Sequence, residues 1–262
     1  MNGIIIGQYL PGFSFWHRLD PRAKMIITCI FIVSCFLIQS WPFILLLVGL
    51  ELLAMSLTRI PFSYFARSLK PILFFIILTV ILQISFINQG EPMFSLGYFQ
   101  ITDEGLSRGL FMALRLVVVV IVSTLLTLTT KPADLTLALE SLLDPLRKIK
   151  IPVSELALMI SIALRFVPTL FAETQKILKS QASRGVDITE GKLKEKVVQL
   201  ISLLVPLFIL SFKRADELAD AMEVRGYVPG KSRTSINLLT WKRVDSILVI
   251  VGLIVFLIAI IF

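Results

Sequence analysis

Gln181-Ala182-Ser183-Arg184-Gly185 and Met222-Glu223-Val224-Arg225-Gly226 close two long helical stretches between Pro152 and Tyr227, each apolar at its start and charged at its end. Counting back from each Arg reaches a Val-Pro pair, Val167-Pro168 in the first stretch and Val205-Pro206 in the second. This is a loose repeat, with about one helical turn of slippage. Arg then Gly is an ordinary way to end a helix, because Gly suits the left-handed position after a C-cap and a cation in the last turn favours the dipole. Two such endings in one charged region of a strongly apolar chain point beyond capping.

The chain has 262 residues, 56% of them hydrophobic, with mean hydropathy +0.87. Those values belong to an integral membrane protein. A net charge of +8 would suggest nucleic acid in a soluble chain, but here it fits basic residues held on the cytoplasmic side of a membrane. A nucleic-acid role is excluded on that ground. Cys29 and Cys35 sit in one apolar run, too poor in other ligands for a metal site and on different helix faces, and read as inert buried thiols. No cleavable leader is expected at the start of the chain.

Asp20-Pro21 reads as an N-cap followed by a helix-opening Pro, with Arg22 and Lys24 holding that start at a membrane surface. The uncharged stretch that follows is interrupted by Gln39-Ser40-Trp41-Pro42, a tight turn with an interfacial Trp. Spans are therefore expected at about 24–40 and 42–58. Arg59, Arg67 and Lys70 mark the next loop, Pro71 opens a third span to about Ile87, and residues 88–107 form a loop with Glu91, Asp103 and Glu104. A fourth span is expected at about 109–130 and a fifth at 246–262. Placing the basic loops inside and the acidic loop outside makes the spans alternate without conflict, with a cytoplasmic N-terminus. The expected division is a four-span membrane domain (1–130), a cytoplasmic helical domain (131–243) and a C-terminal transmembrane helix (244–262).

Within 131–243, both 153–172 and 197–212 are apolar enough to be mistaken for spans. Crossing would carry Lys176, Lys179, Arg184, Lys192, Lys194 and Lys196 outward against the positive-inside trend, so long helices at the cytoplasmic face are preferred. Three are expected there: Pro132–Lys150, with Leu135, Leu139, Leu142, Leu143 and Leu146 on one side and Pro145 bending or ending it; Pro152–Ser183; and about Lys192–Val224. The 3, 4 spacing puts Leu156, Met159, Ile160, Ala163 and Val167 on one face of the second, and Leu200, Leu203, Leu204, Leu207 and Phe208 on a strip of the third. Pro168 and Pro206 are expected to bend these helices. The fold class is all-α: an integral membrane protein with about five transmembrane and three cytoplasmic helices.

Enzyme signals fail on inspection. Gly226-Tyr227-Val228-Pro229-Gly230-Lys231-Ser232 is one residue short of a phosphate-binding loop and has no preceding strand. Gly105-Leu106-Ser107-Arg108-Gly109 fits a nucleophile-elbow pattern but lies before a span, away from His17, the only histidine. Glu51 and Arg115 are the only charges well inside spans. They read either as a structural pair or a snorkelling position, or as the one hint of a carrier or channel path. Two long cytoplasmic helices, each tipped by an exposed Arg-Gly, suit transmission of force to a soluble partner. A guanidinium makes a bidentate bond to a carboxylate, and Gly turns the backbone away. Two similar tips imply two similar pockets.

These residues carry a resemblance that spans essentially the whole chain. Ser183-Arg184-Gly185 and Val224-Arg225-Gly226 resemble the paired Ala-Arg-Gly-type motifs of the transmembrane coupling (T) component of energy-coupling factor transporters, although neither begins with Ala. His17-Arg18-Leu19-Asp20-Pro21-Arg22-Ala23-Lys24 is similar to that family's N-terminal signature, and Gly7-Gln8-Tyr9-Leu10-Pro11-Gly12 resembles the vitamin-type members with a shared module. The resemblance implies a non-catalytic coupling subunit in a bacterial cytoplasmic membrane, with ATP and Mg held by two partner ATPase subunits and no cofactor on this chain. Arg184 and Arg225 would each sit in a groove of one ATPase. The apolar face of Leu156, Met159, Ile160, Leu203, Leu204 and Leu207 would carry a small membrane-embedded substrate-binding subunit.

Overall fold

The computed structural model describes residues 9–87, 92–96, 99–145, 152–184, 193–229 and 239–261. Nine helices carry the described chain: α1 (Pro21–Leu37), α2 (Trp41–Thr58), α3 (Phe62–Leu69), α4 (Leu73–Phe86), α5 (Asp103–Thr129), α6 (Pro132–Leu143), α7 (Val153–Ser183), α8 (Leu193–Val224) and α9 (Arg243–Ile261). The fold is an all-α membrane protein, and its only sheet among the described residues is a small antiparallel hairpin, β1 (Pro92–Leu96) with β2 (Phe99–Thr102). The chain forms two compact units, Met1–Ala138 with Leu238–Phe262, and Leu139–Asn237.

In the first unit the helix starts follow their caps. The Asp20 carboxylate accepts the Arg22 N–H at 2.9 Å, and Pro21 takes the first helical position, where its missing N–H costs nothing. The turn at Gln39-Ser40 separates α1 from α2 as expected. The third span differs. Pro71 lies in a break between α3 and α4, which meet at 57°, because Pro supplies no N–H to continue the helix. Helix α4 alone is about 21 Å long, so α3 is a short separate helix before it rather than loop. Thr102 caps α5 by accepting the Gly105 N–H at 3.2 Å. Asp103 and Glu104 are thus the first turn of that helix, favourably placed against its dipole, and not the end of a loop.

Helix α5 is the hub, in contact with α1, α2, α3 and α4, and α9 lies along α1. Gly105 and Gly109 serve this packing: a Cβ on Gly105 would fall 3.1 Å from the Ile87 carbonyl oxygen of the segment ending α4. Ser107 between them accepts the Trp41 indole N–H at 3.2 Å, a structural use that leaves the nucleophile pattern without a role. Asp20 and Asp245 meet at the starts of α1 and α9, and Lys24 reaches Thr129 at the end of α5. These three ends therefore lie on one side, the arrangement that alternating spans require.

Two expectations are corrected in this unit. Cys29 is exposed, and only Cys35 is buried, because the outer surface of a membrane helix is itself apolar. Arg115 does not pair with Glu51. Its guanidinium donates to the Ile38 carbonyl oxygen just past the end of α1 and lies 5.1 Å from the Phe111 ring. It answers one of the orphan carbonyls of a helix terminus, a use that any helix end in an apolar setting supplies. A double-mutant cycle of Glu51→Gln with Arg115→Met, read by thermal unfolding, is expected to return a coupling of less than about 0.5 kcal/mol. A coupling above about 1 kcal/mol would reinstate the pair.

By length and composition α2, α5, α7, α8 and α9 can each cross a membrane, and the bent α3–α4 pair would make a sixth. Helix α1, at 17 residues, is about 26 Å long.

Candidate coupling site

The second unit is built on α7 and α8, which pack against each other. Glu173 of α7 pairs with Arg214 of α8, and Gln181 of α7 meets Ser202 of α8. Rising numbers on one helix match falling numbers on the other, so the pair is antiparallel. Both Val-Pro prolines lie inside continuous helices, and Pro206 shows what one of them does. Pro206 has no N–H for the carbonyl four residues earlier, that of Ser202. The Gln181 side-chain amide of α7 donates to that same oxygen at 3.4 Å. The proline thus frees an acceptor, and the neighbouring helix uses it.

Helix α6 stops at Leu143, and Asp144 and Pro145 form a 3-10 turn after it, which matches the terminating role expected of Pro145. Leu146 lies outside the described residues.

The two tips are formed differently. At the end of α7, Ser183 and Arg184 are exposed, the Ser183 hydroxyl donates to the Lys179 carbonyl at 3.0 Å, and Arg184 is the C-cap. Gly185 lies outside the described residues, as do Gly7, Gln8 and Lys192. At the end of α8, the Gly226 N–H bonds the Glu223 carbonyl at 2.8 Å and the Tyr227 N–H bonds the Met222 carbonyl at 3.0 Å. Gly226 has φ +74. This is the Schellman pattern, in which a left-handed residue closes the helix and favours glycine. It holds Arg225 at the C-cap, exposed beside Val224, which is 89% exposed. Among the described residues, neither the Arg184 nor the Arg225 guanidinium has a partner.

Antiparallel packing sets the tips far apart. Gln181, one turn before Arg184, sits level with Ser202, and from Ser202 to Arg225 the α8 axis rises about 35 Å. A single compact pocket does not reach both. The apolar face is open: Leu156, Met159, Ile160 and Leu204 are exposed, Met159 by 62%, while Leu203 and Leu207 are half-buried. The exposed apolar surface is wider than the strip read from spacing, since Val198, Ile201, Val205 and Ile209 of α8 are exposed too. Every position from 197 to 212 is uncharged, so a strip chosen by period alone cannot mark its edges. Surface of this extent on a folded chain calls for lipid or a partner.

A feature that sequence reading passed over lies in the first unit, around the Asp20-Pro21-Arg22-Ala23-Lys24 stretch. Asp20 is buried, and its carboxylate takes two bonds from the Arg22 side chain, at 3.0 and 3.1 Å. The Asp20 N–H donates to Asp245 at 3.0 Å, and Lys24, also buried, donates to the Thr129 carbonyl at 3.1 Å and the Thr130 hydroxyl at 3.3 Å. Beside it, His17 Nε2 donates to the Leu10 carbonyl at 2.9 Å, which leaves Nδ1 of a neutral ring to accept from the Ser14 hydroxyl at 2.6 Å. The signature thus ties α1, α5 and α9 together by a buried polar clasp. The available sequence signal was Asp245, an isolated acid at the head of an uncharged run.

Helices long and apolar enough to cross a membrane make this an all-α, multi-pass membrane protein. The family model described as "Cobalt transport protein" (CbiQ) matches residues 12–236, and the chain belongs to that family, the transmembrane coupling components of energy-coupling factor transporters. It is 48% identical to the energy-coupling factor transporter transmembrane protein EcfT of Bacillus subtilis over 97% of this chain and 96% of that one. It is 47% identical to the protein of the same name from Listeria innocua over 95% and 94% of the two chains. The Brevibacillus brevis protein is 46% identical over 97% and 96%.

Proposed function

We propose that the chain is the non-catalytic coupling subunit of an ATP-driven importer of the vitamin type, lying in the bacterial cell membrane with its N-terminus in the cytoplasm. The observation that carries this reading is the pair of exposed C-cap arginines at opposite ends of one antiparallel helix pair. Each tip docks in one of two ATPase subunits, where ATP and Mg are bound. Closure of the ATPases moves the two ends of the pair relative to each other. The wide apolar surface between them, which includes Leu156, Met159, Ile160, Leu203, Leu204 and Leu207, carries a small membrane-embedded substrate-binding subunit. This places α6, α7 and α8 at the cytoplasmic face, in agreement with the basic residues of 173–196.

The test is an affinity pull-down from mild-detergent membranes. Met159→Asp with Leu204→Asp is expected to lose the substrate-binding subunit by tenfold or more, on the scale of about 1.4 kcal/mol per decade, while both ATPases stay bound. Loss of both kinds of partner together, or of neither, would overturn the assignment of faces. The reading of the chain as a standalone carrier has no pair of membrane charges left to stand on, since Arg115 is engaged at the end of α1.

A further inference from the structure

Helix α3 is held to the first unit along one stripe. Phe65 is 1% exposed, and Ile60 and Leu69 pack with it in an apolar cluster that includes Trp16 and Leu128. Ser68 Oγ lies 3.0 Å from Thr124 Oγ1 of α5, within hydrogen-bond distance. Residues 65, 68 and 69 follow the 3, 4 spacing of one helix face, so 63, 67 and 70 fall on the opposite side. Ser63, Arg67 and Lys70 are exposed there, and neither cation has a partner among the described residues. Lys70 keeps helical backbone angles as the C-cap, which makes Arg67 and Lys70 neighbours at i, i+3.

Charge and hydrocarbon meet at this place. From Arg59 to Lys70 the chain has three cations and no acid. Helix α4 has no acid either, and those of α5 are Asp103 and Glu104, in its first turn. Arg59, exposed at the C-cap of α2, holds φ +56. Left-handed backbone favours glycine, yet here it displays an arginine, on a turn where the Thr58 hydroxyl oxygen takes the Ile60 N–H at 3.3 Å. Just beyond Lys70 the surface changes character: α4 leaves α3 at 57° and exposes Leu73, Phe74, Phe75 and Ile77. Cations at a bend, with bare hydrocarbon next to them, match a phospholipid, in which phosphate and acyl chains follow in the same order. An acidic protein surface would answer the charge but not the apolar residues. We propose that the bend between α3 and α4 binds one anionic phospholipid, its phosphate bonded by Arg67 and Lys70 and its acyl chains against the exposed apolar start of α4. Arg59 adds to the attraction from the other end of α3.

The inference does not rest on the coupling reading, and its main test uses the full chain without partner subunits. In mild detergent the chain is titrated with phosphatidylglycerol and, separately, with phosphatidylcholine of the same acyl chains, and bound lipid is counted by native mass spectrometry. The first lipid bound is expected to show a preference of at least tenfold for phosphatidylglycerol, since each cation near a headgroup contributes about fivefold. Arg67→Gln with Lys70→Gln is expected to bring that preference within about twofold of parity. Lys176→Gln with Lys179→Gln, which removes the same charge from exposed positions on α7, is expected to leave it unchanged. Soluble glycerol 1-phosphate at the lipid's concentration is expected not to compete, which separates a lipid from a free phosphate. Cations in the last turn of α3 also suit its dipole, a role that would move the unfolding temperature and not the choice of lipid. Equal binding of the two lipids by the wild type, a preference lost equally in the α7 variant, or displacement of the lipid by glycerol 1-phosphate would each overturn the site. So would an unchanged preference in Arg67→Gln with Lys70→Gln; loss of an ATPase subunit from the membrane pull-down of that variant would then assign the cations to a protein partner.

Discussion

Arg184→Glu and Arg225→Glu are each expected to abolish uptake and release ATPase from the complex while leaving the fold intact. Both guanidiniums are exposed at helix C-caps without a partner among the described residues, so reversal removes nothing that holds α7 to α8. Its effect falls on the partner. A buried arginine–carboxylate pair at an interface is worth on the order of 2–5 kcal/mol on truncation, or roughly 30-fold to several-thousand-fold in affinity, and charge reversal adds repulsion to that loss. Because the tips lie at opposite ends of the pair, each single variant is expected to keep one ATPase contact and lose the other, and the double variant to lose both. Arg→Lys keeps the charge but not the planar fork, and a partial loss is expected there. Pull-down and vesicle uptake are the readouts, with thermal unfolding as the control. Wild-type uptake by either single reversal would return both endings to ordinary helix caps.

Local signals in the sequence carried most of the helices. Asp20-Pro21, Gln39-Ser40-Trp41-Pro42, Pro152 and the Arg225-Gly226 ending each act within a turn of helix, through a cap, a missing N–H or a left-handed φ, and the structure uses them where they stand. The boundary errors also have local causes. Pro71 breaks the helix it was expected to open, and Thr102 caps α5 with Asp103 and Glu104 in its first turn, a signal that a reading of 88–107 by charge alone passes over.

Side-chain partners between distant segments were not legible. Glu51 and Arg115 invited pairing because they were the only charges available, yet direction of the side chain decides who meets whom, and Arg115 turns to the end of α1. Gln181 was read as part of a tip signal, whereas its amide answers the carbonyl that Pro206 leaves free on α8. That contact gives Pro206, one proline of the Val-Pro repeat, a physical use, since it frees the acceptor that the neighbouring helix bonds. The single apolar strip on α8 was too narrow for a related reason: periodicity locates a face only where polar residues bound it, and 197–212 has none with charge.

Asp245→Ala is expected to be the most destabilising single change in the membrane unit, by about 3–5 kcal/mol, because it strands charge in a buried place. Asp245 is fully buried and takes the Asp20 N–H at 3.0 Å and the Lys242 N–H at 2.7 Å, which fixes the start of α9 against the start of α1. Arg22 adds to the closure by bonding Asp20, donating to the Leu239 carbonyl at 3.2 Å and lying 5.7 Å from the Trp241 ring. Asp134 at the start of α6, Asp20 and Asp245 all act on Lys24 in this cluster, and loss of Asp245 removes one of these compensating charges and leaves two backbone N–H groups unanswered. Lys24→Met removes the opposite charge from the same cluster. The double variant is therefore expected to be more stable than the sum of the single losses by at least about 1 kcal/mol. Thermal unfolding of the full chain in nanodiscs reads all three. A cost below about 0.5 kcal/mol for Asp245→Ala, or strict additivity with Lys24→Met, would show that the ends of α1, α5 and α9 are held by their apolar packing and that the signature residues serve some other end.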